Sequence, residues 1–221
     1  MKEFAQHVVV LKDIKAEGTP LFIDEFDKSI SWNIHTNTGI GRFGRVLASD
    51  PDGGYSLLMT TRLTSPAIDD YVYIERSIPI VSVKRYSVVA AVKAPSEYTQ
   101  PVLWLELSLG SIGKRCRYGI RVNLRTADIY YLDENGSWTL YTSPDWSFAY
   151  DVLRRITFTV DDSNAEYVKL CVDRNEYDLS GIKCYTESVD YSFEHFIRVG
   201  VIAASVATAG IELTEVGVYI T

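Results

Sequence analysis

Along this 221-residue chain apolar and polar positions alternate at period two, the spacing of strands with one face buried and one exposed. In Tyr71-Val-Tyr-Ile-Glu-Arg-Ser-Ile78, Val72, Ile74 and Ile78 share one face and Tyr71, Tyr73, Glu75 and Ser77 the other. The alternation is sharpest in Val102-Leu-Trp-Leu-Glu-Leu-Ser-Leu109, where four leucines lie opposite Trp104, Glu106 and Ser108, and in Tyr118-Gly-Ile-Arg-Val-Asn-Leu-Arg125, where Ile120, Val122 and Leu124 lie opposite Arg121, Asn123 and Arg125. Tyr86-Ser-Val-Val-Ala-Ala-Val92 is apolar on both faces, as a central strand is.

Turn chemistry separates these runs. Ser49-Asp-Pro-Asp-Gly-Gly54 precedes a strand at Tyr55–Thr61, and Asn135-Gly136 forms a hairpin tip between Ile129–Leu132 and Ser137–Tyr141. Further strands are predicted at Ile156–Val160, Tyr167–Val172, Phe196–Ile202 and Ile211–Ile220, with a short helix or turn over Asp190–Phe196. Residues 1–20 mix a helical stripe (Phe4, Val8, Leu11) with an extended Val8-Val9-Val10 run, and read as an N-terminal arm or strand. About a dozen short strands without a helix-length apolar stripe predict an all-β fold, two antiparallel sheets packed as a β-sandwich of the jelly-roll type over residues 21–221.

Composition agrees with that class. Tyrosine is abundant at 15 residues and methionine scarce at 2, a balance suited to half-buried pleated surfaces. A formal net charge of −7 opposes non-specific attachment to nucleic acid or anionic membrane, so neither is expected as a partner. The short basic run Lys114-Arg115-Cys116-Arg117 reads as a solvated loop. No leader or membrane-spanning segment is visible, which leaves a cytoplasmic, virion-associated or processed extracellular location open. Three cysteines without a CxxC pair give neither a disulfide framework nor a zinc knuckle. They read as buried small hydrophobes, with Cys171 and Cys184 the pair that could still join.

Three stretches resemble the concanavalin A-like lectin and glucanase jelly rolls, a superfamily that includes laminin-G-like domains and many carbohydrate-binding modules. They are Phe22-Ile-Asp-Glu-Phe26 with Trp32; the segment from Trp146 to Val160 continuing through Tyr167–Asn175 to Tyr177–Gly181; and the closing Gly210–Ile220, which looks like the final strand returning beside the first. The resemblance implies the sandwich fold. It also implies a structural calcium pinning the first and last strands, for which Asp24, Glu25 and Glu212 are the candidates. No other cofactor is expected.

The superfamily's glucanases carry Glu-x-Asp-x-x-Glu on one strand, so that two carboxyl groups flank the glycosidic bond. No such run is present: Asp24-Glu25-Phe26-Asp27 alternates wrongly, and Glu106 has no carboxylate at 104 or 108. His7, His35 and His195 lie in separate segments, and no nucleophile elbow, metal-binding helix motif or phosphate loop occurs. The sequence leans away from an enzyme.

Sugars are held by aromatic rings that stack on their C–H faces and by planar polar groups that bond their hydroxyls. Trp104, Glu106, Arg121, Asn123 and Arg125 supply that mixture on one outward face, with Trp138, Tyr141 and Trp146 as a rim. The expected function is therefore a non-catalytic module binding carbohydrate on an exposed sheet face. The competing reading buries Trp104 under a loop or between sheets and pairs Arg121 and Arg125 with Glu106. A second class is a structural or adhesive subunit whose N-terminal arm docks on a neighbour or a second copy, and an atypical glycoside hydrolase is third.

Overall fold

A computed structural model describes residues 18–26, 31–37, 41–47, 54–81, 83–145, 147–190 and 193–221. The expected arm falls almost wholly outside these residues, as do His7, Trp146 and most of the Ser49–Gly54 turn. In chain order the strands are β1 (Thr19–Asp24), β2 (Asn33–Thr36), β3 (Phe43–Leu47), β4 (Tyr55–Thr60), β5 (Tyr71–Ile78), β6 (Arg85–Lys93), β7 (Pro101–Ser111), β8 (Lys114–Asn123), β9 (Ile129–Leu132), β10 (Trp138–Thr142), β11 (Arg154–Asp161), β12 (Glu166–Val172), β13 (Asn175–Asp178), β14 (Tyr185–Ser188), β15 (His195–Ala203) and β16 (Gly210–Ile220). No helix occurs among the described residues; Phe193 and Glu194 are irregular, and β15 begins at His195.

All pairings between strands are antiparallel and build two sheets. Sheet A runs β13-β12-β11-β6-β16-β4-β3, with β1 also beside β16. Sheet B runs β10-β9-β8-β7-β15-β5-β2, with β14 added beside β8. The last strand does lie against the first, Thr19 opposite Ile220 and Asp24 opposite Val216.

The core is the space between the sheets. Leu103, Leu105, Leu107 and Leu109 of β7, with Ile120 and Val122 of β8, belong to one buried cluster with Val88, Ala90 and Val92 of β6 and Phe158 of β11. Each fully buried aliphatic or aromatic side chain there contributes ~1.5–3 kcal/mol by leaving water. β6 is buried on both faces, as its apolar sequence predicts.

Two features depart from the sequence reading. Lys114–Arg117 is the first half of β8 and not a solvated loop: it pairs with β7 on one side and β14 on the other, and Arg115 and Arg117 are held by Glu187 and Glu106. The second is a sheet-crossing hydrogen bond. The hydroxyl of Tyr167, on β12 of sheet A, receives the Gly119 amide of β8 at 2.7 Å and lies 3.0 Å from the Leu132 carbonyl of β9. It stands where a β8–β9 rung would be, since their direct pairing covers only Ile120–Val122. Beyond this wedge β14 replaces β9 as the neighbour of β8.

Candidate functional site

Residues directly opposed in an antiparallel sheet point to the same face, so the pairings of sheet B trace rows across its outer surface. One row runs His35, Tyr73, Gly200, Trp104, Arg121 and Tyr130 over β2, β5, β15, β7, β8 and β9. The next runs Asn33, Glu75, Arg198, Glu106 and Gly119, and a third Ser77, Phe196, Ser108, Arg117 and Tyr185.

The first row is aromatic. His35 stacks on Tyr73 with ring centroids 4.7 Å apart, and Tyr73 meets Trp104 at 5.0 Å and 65°. Tyr71 and Trp138 meet Trp104 edge-on at 6.0 and 6.4 Å. Trp138 reaches this row from β10 because Gly119 has no side chain: a Cβ there would lie 2.6 Å from the tip of the indole. The Arg121 guanidinium lies 3.9 Å from the Trp138 ring centroid and 5.6 Å from that of Trp104, a cation–π arrangement. No carboxylate among the described residues forms an ion pair with it, and its Nε and the indole N–H of Trp104 lack hydrogen-bond partners there. Burial pushes the Arg121 pKa down to about 10, against the weaker opposing fields of Asp69 and Glu106. A cation thus desolvated gains from any ligand that brings oxygen acceptors to it.

The second and third rows carry a ladder of opposite charges. Arg198 donates from Nε to Glu75 at 2.6 Å and from Nη1 to Glu106 at 3.0 Å. Arg117 donates to both oxygens of Glu106, at 2.8 and 3.0 Å. Glu106 is 0% exposed.

The expected ligand set therefore divides. Trp104, Arg121 and Trp138 come together. Glu106 is corrected from a ligand contact to a buried counter-ion, because both its oxygens are occupied by arginines and water does not reach it. Asn123 is also turned away from a ligand: its Oδ1 receives the amides of Arg125 and Thr126 and closes the turn after β8. Arg125 lies over the Tyr150 ring at 4.5 Å and pairs with no part of Glu106. Tyr141 donates its hydroxyl to the Asp178 carbonyl at 2.6 Å and packs against Tyr177, next to β13 of the other sheet. Trp146 lies outside the described residues. Tyr71, Tyr73, His35 and the arginine ladder complete the face. The tyrosines were visible as the polar side of β5, but only the pairing of β15 with both β7 and β5 brings them to Trp104.

The calcium candidates do not converge. Asp24 accepts hydrogen bonds from the Phe26 amide, the Trp32 indole and Arg76, so its carboxylate ties the first strand to β5. Glu25 is exposed, and Glu212 pairs with Lys93 at 2.7 Å. Asp24 stands opposite Val216, four residues or roughly 13 Å along β16 from Glu212. Among the described residues no group of three or more His, Cys, Asp or Glu side chains is placed to hold a metal. Cys171 lies with its sulfur 3.6 Å from Glu176, whereas Cys184 faces Cys116, so the Cys171–Cys184 pairing is not the one this fold favours.

No family model and no curated protein matches the chain. Solved structures do. The conserved carbohydrate esterase of the Shiga toxin-encoding bacteriophage phi24B is similar at a TM-score of 0.59 and 12% identity, over 92% of this chain and 99% of that one. A Bacteroides ovatus GH16 protein of a mixed linkage glucan PUL, in complex with a product, is similar at 0.54 and 9%, over 90% and 99%. The seed lectin of Lotus tetragonolobus is similar at 0.54 and 10%, over 90% and 97%. At such identities these likenesses show the fold alone, a two-sheet antiparallel β-sandwich.

Proposed function

We propose that the outer face of sheet B binds carbohydrate, with Trp104, Trp138, Tyr71 and Tyr73 presenting rings to sugar C–H faces and Arg121 bonding hydroxyl or carboxylate oxygens. One observation carries the reading. Of the arginines in these rows, Arg198 and Arg117 are spent on Glu75 and Glu106, while Arg121 lies on Trp138 with no ion pair among the described residues. An aromatic surface with one uncommitted planar cation suits a ligand that is apolar on its faces and rich in oxygen at its rim. The likeness to a carbohydrate esterase, a GH16 protein and a seed lectin supports the same reading.

The test is a glycan array of neutral and acidic oligosaccharides, followed by titration of the best binder. Trp104→Ala and Arg121→Gln should each weaken binding at least tenfold, about 1.4 kcal/mol, while melting within a few degrees of the unsubstituted chain. Absence of binding across the array, or affinity indifferent to both changes, sinks the proposal.

A further inference from the structure

Cys116 and Cys184 are far apart in sequence and meet at the place where the chain changes sheets. Lys183 still bridges Glu166 of β12 in sheet A, and the Cys184 amide donates to the Ala165 carbonyl at 3.0 Å. One residue later Tyr185 opens β14, which pairs with β8 of sheet B. Cys184 is therefore the crossing residue. Thr186 stands directly opposite Cys116, and Cys184, two residues before it, lies diagonally across from Cys116 with its sulfur 3.8 Å from the Thr186 hydroxyl. Cys116 is 6% and Cys184 3% exposed, in the same core cluster. The Cys184 thiol faces the Cys116 sulfur as a hydrogen-bond donor, which holds the Cys116 thiol below its ordinary range and pushes that of Cys184 up, with Lys114 adding to the first effect. Thiolate character is what starts thiol–disulfide exchange.

We propose that Cys116 and Cys184 are a disulfide-forming pair, a covalent clasp between β8 and the crossing from sheet A to sheet B that closes under an oxidising small-molecule disulfide. With oxidised glutathione as co-reactant, the Cys116 thiolate attacks one glutathione sulfur, breaking its S–S bond and releasing one glutathione thiolate. The Cys184 sulfur then attacks the mixed disulfide, expels the second glutathione and gives up its proton. Two protein thiols are oxidised to one cystine, and one glutathione disulfide is reduced to two thiols that take up the two protons. Access is through β14, a four-residue strand whose only strand partner among the described residues is β8, and such short edge elements open locally far below the cost of global unfolding.

The experiment uses the full chain carrying Cys171→Ser, equilibrated at graded ratios of oxidised to reduced glutathione, acid-quenched, unfolded, alkylated and weighed intact. The expected result is a shift from two alkylated thiols to none with the loss of two hydrogens. The oxidised form should melt higher by on the order of 10 °C, because the bond closes a long loop. Adding Cys184→Ser should abolish the two-hydrogen loss and leave one thiol that is alkylated or carries glutathione. In the unsubstituted chain, peptide mapping without reduction should place the bond between Cys116 and Cys184. Two alkylatable thiols at every ratio, stable glutathione adducts in place of the cystine, or a mapped bond through Cys171 would each overturn the proposal.

Discussion

At Glu106 one carboxylate answers two arginines. Its position on β7, opposite the leucines, puts it on the outer side of sheet B, yet Arg117 and Arg198 cover it completely. Removing the carboxylate leaves two mostly buried guanidinium groups facing one another, and breaking a buried pair from one side typically costs 3–5 kcal/mol. Glu106→Ala is therefore expected to lose about 3 kcal/mol in urea unfolding, with Glu106→Gln losing less. His195 offers a second residue-level prediction. Its Nδ1 accepts the Gly110 amide at 3.3 Å and its ring packs edge-on to Tyr86, and burial pushes its pKa down from 6.5. Between 6.5 and the lower folded value the unfolded chain binds a proton that the folded chain refuses, so stability present above 6.5 is lost as pH falls through that window. Nearby Asp162, raised by burial, contributes with the opposite sign from 3.8 upward. Melting curves between about pH 7.5 and 5.5 for the unsubstituted chain and His195→Gln report the histidine together with its field on Asp162; the variant should show the flatter profile.

At the scale of elements, β8 organises the face. It receives β7 along its whole length, and β9 and β14 in succession on the other side, with Tyr167 marking the change. Tyr167→Phe would leave the Gly119 amide without its partner in the core, a loss of roughly 1–3 kcal/mol in chemical denaturation. Gly119→Ala acts differently: the added methyl collides with the Trp138 ring tip, a side chain able to swing away. It should displace Trp138 from Arg121 and weaken glycan binding while costing little stability, and unchanged affinity would mean that Trp138 is no part of the site. The strands with strong alternation, β5, β7 and the core of β8, were legible because period two fixes which side chains share a face. β13 and β14 were not: at four residues each, Asn175–Asp178 and Tyr185–Ser188 carry too little pattern, and they exist because a neighbour offers an edge. The basic run Lys114–Arg117 misled for a related reason, since its charges are neutralised by Glu106 and Glu187 from elsewhere in the sequence.

For the whole molecule, the two sheets share one interior, with Tyr167 and the Tyr118–Asp162 hydrogen bond crossing between them. Neither sheet can release its apolar face without exposing the other's, so tryptophan fluorescence and far-ultraviolet circular dichroism should report coincident unfolding midpoints. Two separated transitions would show that the sheets melt independently. The site was only partly legible at this scale. Trp104 and Arg121 were proposed from alternation and Trp138 as part of a rim, but Tyr71, Tyr73 and His35 join them through strand order, which no local pattern encodes. The Tyr167 wedge has a final consequence for recognition. Its hydroxyl, anchored in the far sheet, fixes the backbone directly beneath Trp138, so the floor on which that ring and its stacked arginine rest is set before any ligand arrives. Little conformational freedom is then left to lose on binding, and structures with and without sugar should superpose at Gly119, Trp138 and Arg121, with selectivity arising from rejection of ligands that do not fit.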